Sequence, residues 1–267
     1  MFRVYKTILW SNVPMALDAV GWTGLTFKIL KIAPDYVLVV LTFALTWLFY
    51  TRDRIDISAS DFINNPERSE WYAAQKFIKP SMFIATAVII LCLWLRLSIL
   101  LPSLIALIPC FFYTKKIKMG QKDFSLKDLP GMKAVLVAFL WVVLTVFFPL
   151  FTTPSVLTSK ITIIHFCFMV GLFVMLQIHT NDIRDIAGDR QQGTQSFAVM
   201  LGEKRARFLG LVLIGLGLYF GWSLCSTSGL ILFGILLVLR TLFYSPKKDI
   251  YWQSLISTQG LWAYFML

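Results

Sequence analysis

Apolar segments long enough to cross a bilayer follow one another along almost the whole of this 267-residue chain, with little polar sequence between them. A helix needs about 20 apolar residues to span the hydrocarbon, and stretches of that length recur too often here for the core helices of a soluble domain. They cover residues 8–27, 34–51, 80–95, 98–114, 132–151, 160–180, 206–224, 229–245 and 250–267. Lipid offers no partner to backbone polar groups, so segments of this kind have to be helices. The expected fold is an all-α polytopic membrane protein, one domain over residues 1–267, with about nine transmembrane helices. The composition agrees, at 58% hydrophobic and 15% charged residues with a mean hydropathy of +0.73. The third and fourth segments crowd around Arg96 and Pro102 and are expected to form a tight helical hairpin. A cleavable leader is not expected, because the first apolar segment already carries Asn12 and Asp18.

Basic residues orient the bundle. With the N-terminus inside, all of the 25 lysines and arginines except Lys28, Lys31, Arg96, Lys160 and Arg240 fall on the cytoplasmic side. That asymmetry predicts a cytoplasmic N-terminus and a C-terminus on the opposite side. The net charge of +11 follows from the same bias and suits contact with anionic lipid head groups. The basic residues are scattered over several loops at membrane ends, which argues against a nucleic-acid partner. Cys92, Cys110, Cys167 and Cys225 all lie in apolar segments without ligand spacing and read as packing residues. His165 reads as a packed or lumen-facing histidine, and His179, one turn before an acidic run, as a side chain near enough to be tested against substrate.

The two longest polar interruptions, 51–79 and 181–205, carry the chemistry, and both fall on the predicted cytoplasmic side directly after an apolar segment. In Asn181-Asp-Ile-Arg-Asp-Ile-Ala-Gly-Asp-Arg190, the carboxylates Asp182, Asp185 and Asp189 share one face of a helix. Three carboxylates on one face repel each other, and a divalent metal is the usual means of holding them together. Upstream, Asp53 and Asp56 point the same way from the end of the second segment, and Asp61 joins them only if the helix has unwound there. Two acidic helix ends facing one cavity are what a magnesium–diphosphate substrate requires, because magnesium bridges carboxylates to phosphate oxygens. Arg52, Arg54, Arg184 and Arg190 are interleaved with these aspartates, so internal arginine–aspartate pairing is the competing explanation. The stretch 61–79, with Pro66 in its first half and a helical pattern after it, reads as a partly helical cap over the cavity mouth.

A diphosphate also needs cations of its own. Lys115 and Lys116 follow the aromatic run Phe111-Phe112-Tyr113, and Lys133 opens the next apolar segment. These three are the candidates to neutralise charge on a departing diphosphate, against the alternative of simple positive-inside anchoring. Asn12 is expected near the inner surface, within reach of phosphate or a carboxylate, whereas Asp18 lies deeper with no evident role.

Residues 181–206, NDIRDIAGDRQQGTQSFAVMLGEKRA, resemble the second aspartate-rich motif of the UbiA-type intramembrane prenyltransferase superfamily. Gly188, Asp189, Arg190, Gly193, Ser196, Leu201 and Gly202 all fall in place, and the span count agrees with the family's architecture. The resemblance implies a bundle of nine helices around a central, laterally open cavity. It implies transfer of a prenyl group from a prenyl diphosphate to an aromatic or lipid-like acceptor, with Mg2+ as cofactor. The metal ligands it implies are Asp53, Asp56, Asp182, Asp185 and Asp189, joined by Asp61 if the helix end bulges to recruit it. Asn12, Arg52, Lys115, Lys116, Lys133 and Arg190 would bind the diphosphate, and Lys115, Lys116, Asp182 and Asp185 would carry catalysis. The first motif departs from the family's NDxxDxxxD: Arg52 stands where the Asn would be and Ser60 where the third Asp would be, with Asp61 one place late. That irregularity keeps open a membrane terpene cyclase, which ionises a prenyl diphosphate without an external acceptor. A transporter would instead show Gly/Pro-broken paired spans, and a scaffold gives no reason for two acidic clusters at one surface.

Overall fold

The computed structural model describes residues 2–55, 59–105, 117–119, 122–124, 129–153, 158–245 and 249–267. Among these the chain is helical apart from a two-stranded hairpin, β1 Ile117–Met119 against β2 Lys122–Phe124. Four helices are long and apolar enough to cross a membrane: Tyr36–Ile55, Ile78–Leu95, Met132–Thr152 and Lys160–Gln192, with Thr227–Phe243 apolar but shorter.

The first expected span, 8–27, is broken. Helix α1 (Phe2–Trp10) stops before Asn12, which takes a left-handed φ of 59°, and α2 (Val13–Ile29) restarts with Pro14 in its first turn. Ser11 O, freed at the break, accepts the Trp47 indole N–H at 2.9 Å. Helix α3 (Tyr36–Ile55) begins at Asp35, whose Oδ1 accepts the Val37 N–H at 2.9 Å and whose Oδ2 pairs with Arg96 at 2.6 Å, fastening the far end of α6 (Ile78–Leu95). Between α3 and α6 lie α4 (Ala59–Asn64) and α5 (Pro66–Ala74), with Asn65 capping α5 through Arg68 N–H. These two short helices are the expected partly helical cap.

Helix α7 (Met132–Thr152) widens to a π-turn at Val143–Phe147, just ahead of Pro149. Proline donates no hydrogen to the carbonyl four residues back, and the Thr26 hydroxyl from α2 reaches that Thr145 carbonyl at 2.7 Å. Helix α8 (Lys160–Gln192) is 33 residues, about 50 Å at 1.5 Å per residue, against about 30 Å of hydrocarbon. Its last turns therefore stand clear of the apolar layer, and they carry the acidic run. Gly193, at a φ of 79°, ends α8; Ser196 caps α9 (Phe197–Leu201) through Val199 N–H; Gly202, at a φ of 74°, leads into α10 (Glu203–Gly221). Helix α11 (Thr227–Phe243) follows. The last expected span, 250–267, is also broken, into α12 (Asp249–Ile256) and α13 (Gln259–Met266).

The core surrounds α8, where Phe166, Met169 and Phe173 are fully buried with Trp22 of α2 and Phe233 of α11. Polar side chains pin the broken last span to it. Asp18 Oδ1 accepts the Gly260 N–H, and its Oδ2 accepts Gln177 Nε2 at 2.8 Å. Gln177 also donates to Ile256 O at 2.6 Å, a carbonyl at the α12 break, while Gln259 donates to Phe173 O at 2.8 Å and accepts from Arg240 at 2.7 Å. Asp18, unexplained by sequence, is thus the hub that ties α2, α8 and α13 together, with Arg240 as its electrostatic neighbour. Gly21 and Gly260 let α2 and α13 touch, since a Cβ on Gly21 would stand 2.4 Å from the Gly260 backbone.

Candidate active site

A polar cavity of about 130 Å³ opens at the end of the bundle where α8 outruns the membrane. The α1–α2 break supplies Trp10, Asn12 and Met15; α3 supplies Phe49, Tyr50, Asp53 and Arg54; the cap supplies Asn65 and Arg68. Lys133 and Val137 come from α7, Ile178, Asn181, Asp182, Arg184 and Asp185 from α8, and Gln253 from α12. The cap is anchored over this space by Tyr72, whose hydroxyl donates to Trp10 O and accepts from Asn12 Nδ2 at 2.7 Å. Burial pushes the Tyr72 hydroxyl up to about 12, so it stays a donor at any physiological pH. Asn64 holds the other side of the cap, accepting the Gly188 N–H of α8 at 3.0 Å.

The three aspartates of α8 share a face, as expected, and have different partners. Asp182 has a side chain only 1% exposed, and its Oδ1 lies 2.7 Å from the Lys133 ammonium. Neither Asp182 oxygen has a well-directed hydrogen bond among the described residues. Asp189 Oδ2 lies 3.4 Å from the same ammonium, so Lys133 spans the two carboxylates. Burial raises the Asp189 carboxyl above its ordinary value, against the pull of Lys133. Asp185 is gripped by Arg184 through two bonds, of 2.6 and 2.7 Å. Burial works to raise the Asp185 carboxyl, but the Arg184 guanidinium, with Lys133 and Arg68 behind it, holds it well below the usual carboxylate range. Arg184 in turn donates to Gln253 Oε1 at 3.0 Å and Asn181 Oδ1 at 3.4 Å.

Of the residues singled out by sequence, Asn12, Asp53, Lys133, Asp182 and Asp185 line the cavity, and Asp189 joins them through Lys133. Asp61 turns to Arg54 at 3.4 Å and is not in the described lining; it lies on α4, a separate short helix from the α3 that carries Asp53. Arg52 and Arg190 are exposed, each one residue, and so about 100° of helix, from the aspartate beside it. Asp56, Lys115 and Lys116 lie outside the described residues, as does Cys110. His179 is fully buried, with Nε2 against Ala206 O at 2.7 Å, and is not in the cavity lining. Sequence reading missed Tyr50, Asn65, Arg68 and Gln253 as parts of the site; the only signal for Gln253 was a polar residue inside an apolar stretch.

A second, apolar cavity of about 320 Å³ runs between α3, α6 and α7, among Leu45, Ile89, Leu93, Leu144 and Phe148. It shares Phe49, Tyr50 and Val137 with the polar cavity, so the two adjoin at these side chains. There the Tyr50 and Trp141 rings stand edge to face, 6.3 Å between centroids, with the Trp141 N–H 3.2 Å from the Tyr50 hydroxyl.

Among the described residues no three acidic, histidine or cysteine side chains converge to enclose a metal. The pair that does converge, Asp182 and Asp189, nevertheless fits magnesium. That ion takes one or two carboxylates and completes its shell with water and substrate phosphates, and a buried carboxylate met by a single ammonium and no directed hydrogen bond suits a cation.

The fold and site define an all-helical integral membrane protein with a charged cavity at one end of its bundle and an apolar one behind it. The UbiA prenyltransferase family model matches residues 79–258, and the chain belongs to that family. No curated protein matches it in sequence. Among solved structures it is similar to a UbiA homologue from Aeropyrum pernix K1, with a TM-score of 0.61 and 14% identity over 93% of this chain and 96% of that one. It is also similar to a UbiA homologue from Archaeoglobus fulgidus bound to DMAPP and Mg2+, with a TM-score of 0.52 and 15% identity over 98% and 96%. A digeranylgeranylglyceryl phosphate synthase aligns with a TM-score of 0.54 and 14% identity over 98% and 97%.

Proposed function

We propose that the protein transfers a prenyl group from a prenyl diphosphate to a hydrophobic or aromatic acceptor within the membrane. The observation that carries this reading is that Phe49, Tyr50 and Val137 line both a charged cavity and an apolar one, so the two adjoin. A prenyl diphosphate has the same division: a diphosphate head on a methyl-branched apolar tail. Family membership and the likeness to a homologue holding DMAPP and Mg2+ support it.

In this reading Asp182 and Asp189 hold Mg2+, with Asp53 across the cavity, and Lys133 and Arg68 take phosphate oxygens. The bound ion would supply charge neutralisation at the leaving diphosphate. As the allylic carbon–oxygen bond breaks, the electron pair stays with the diphosphate, where the cavity's cations stabilise it. The carbon end then lies where the two cavities adjoin, beside the Tyr50 and Trp141 rings, whose π faces stabilise positive charge. The cap helices α4 and α5 keep bulk water from quenching that cation before an acceptor arrives from the lipid side. Asp185 is committed to Arg184, so its role is to set Arg184 and Gln253 at the cavity wall. The N-terminus and the cavity would face the cytoplasm.

Mass spectrometry of membrane lipids from a host expressing the wild type, beside one expressing Asp182→Ala, tests the reading. A prenylated lipid or quinone-type species gained only with the wild type is expected; identical lipid profiles would refute it. Purified protein given the diphosphate without acceptor separates the alternatives, because a cyclase would yield a terpene hydrocarbon or alcohol.

A further inference from the structure

Lys133 is held where it is by the fold rather than by its own flexibility. Gly131, two residues earlier at a φ of 68°, donates its N–H to Gln195 O at 2.9 Å, and a Cβ there would strike the Phe197 ring at 2.2 Å. The start of α7 is thereby fastened to the segment leaving α8, and the Lys133 ammonium is set between two α8 carboxylates, 2.7 Å from Asp182 and 3.4 Å from Asp189. Those are also the carboxylates best suited to a divalent cation. Two cations cannot share that gap at low dielectric, where like charges a few ångströms apart repel strongly.

We infer that Lys133 and the divalent cation compete for Asp182 and Asp189, so that the cation binds tightly only together with a diphosphate onto which Lys133 moves. A bare cation entering the gap would leave the ammonium beside a double positive charge, displaced from the two carboxylates it spans. A cation arriving with diphosphate brings phosphate oxygens on the cavity side, and the ammonium exchanges a carboxylate for them. The inference rests on the prenyl diphosphate reading and adds an order to it: cation and diphosphate bind as a unit, coupled through one lysine. The coupling is reciprocal, so the lysine also keeps the site from retaining metal once diphosphate has left.

The test uses Mn2+ as the probe, followed by the EPR signal of the free ion, with full-length protein in lipid nanodiscs. Wild type is expected to bind Mn2+ alone at least tenfold more weakly than Lys133→Gln, and Lys133→Arg to stay near wild type. With inorganic pyrophosphate present, after correction for the Mn2+–pyrophosphate complex in solution, wild-type affinity should rise at least tenfold. Equal affinity of wild type and Lys133→Gln for Mn2+ alone would overturn the competition. Should Lys133→Gln fail to fold, an experimental structure of the wild type with Mn2+ and pyrophosphate decides: Lys133 on phosphate oxygens supports the exchange, and Lys133 still between Asp182 and Asp189 overturns it. If the wild type binds no Mn2+–pyrophosphate at all, the diphosphate reading falls with it. If it binds, and Asp182→Asn abolishes that, a null effect of Lys133→Gln defeats the coupling alone.

Discussion

Asp18→Ala should cost far more stability than a single hydrogen-bonding residue in a membrane helix usually does. The carboxylate is fully buried and accepts from Gly260 N–H and Gln177 Nε2. Each such bond is worth about 0.6 kcal/mol on average between membrane helices, so their loss alone is a minor effect. The larger consequence is for Arg240, 1% exposed, which keeps only Gln259 as a hydrogen-bond partner among the described residues. Removing one member of a buried charge pair in direct contact costs about 3–5 kcal/mol; Asp18 and Arg240 are electrostatic neighbours without a bond between them, so about 2 kcal/mol is expected from this source. The expected total is about 3 kcal/mol. Arg240→Met should cost about 2 kcal/mol by the same reasoning, since it removes the cation nearest Asp18 while Gly260 and Gln177 still donate to it. The double variant should then recover about 2 kcal/mol relative to the summed singles. Unfolding by SDS in mixed micelles, read from tryptophan fluorescence, measures all three. Destabilisation of Asp18→Ala by less than about 1 kcal/mol, or strict additivity with Arg240→Met, would refute the hub.

Two further outcomes follow from the site. Gly188→Ala puts a Cβ 2.4–2.7 Å from the Asn64 amide, so the cap must lift from α8; turnover should fall at least tenfold, and Gly188→Ala with Asn64→Gly should recover part of it. Asp185 is held below its ordinary carboxylate range, so its contribution to stability is present above the unfolded value, near 4, and is lost only as the pH falls below that. Asp185→Asn should therefore flatten the stability–pH curve below about pH 4, and an unchanged acid limb would count against the Arg184–Asp185 pair.

Much of this was legible in the sequence, because the strongest signals were local. The i, i+3, i+7 spacing of Asp182, Asp185 and Asp189 survives as one face of α8, since a single continuous helix carries it past the membrane. Gly193, Ser196 and Gly202 are punctuation for the same reason: two glycines at positive φ and one serine cap turn the chain from α8 through α9 to α10. What was hidden is what the fold brings together across the chain. Lys133 meets Asp182 because of the Gly131–Gln195 bond, and no local pattern encodes that contact. The break at Asn12 had a signal in Pro14, overridden by the apolar run on either side. The break before Thr258 had almost none, and its Ile256 carbonyl is satisfied by Gln177 from a distant helix. Asp61 was within reach of the first acidic cluster by counting, but it lies on α4 and turns to Arg54.

The most direct test of the account is release of pyrophosphate from a prenyl diphosphate by the purified protein in nanodiscs with Mg2+, compared between wild type and Asp182→Asn. The account predicts Mg2+-dependent release by the wild type and a loss of about 10²–10³-fold in the variant, the scale expected when a group that stabilises developing charge is removed. Equal release by the two proteins, or release indifferent to Mg2+, would contradict it.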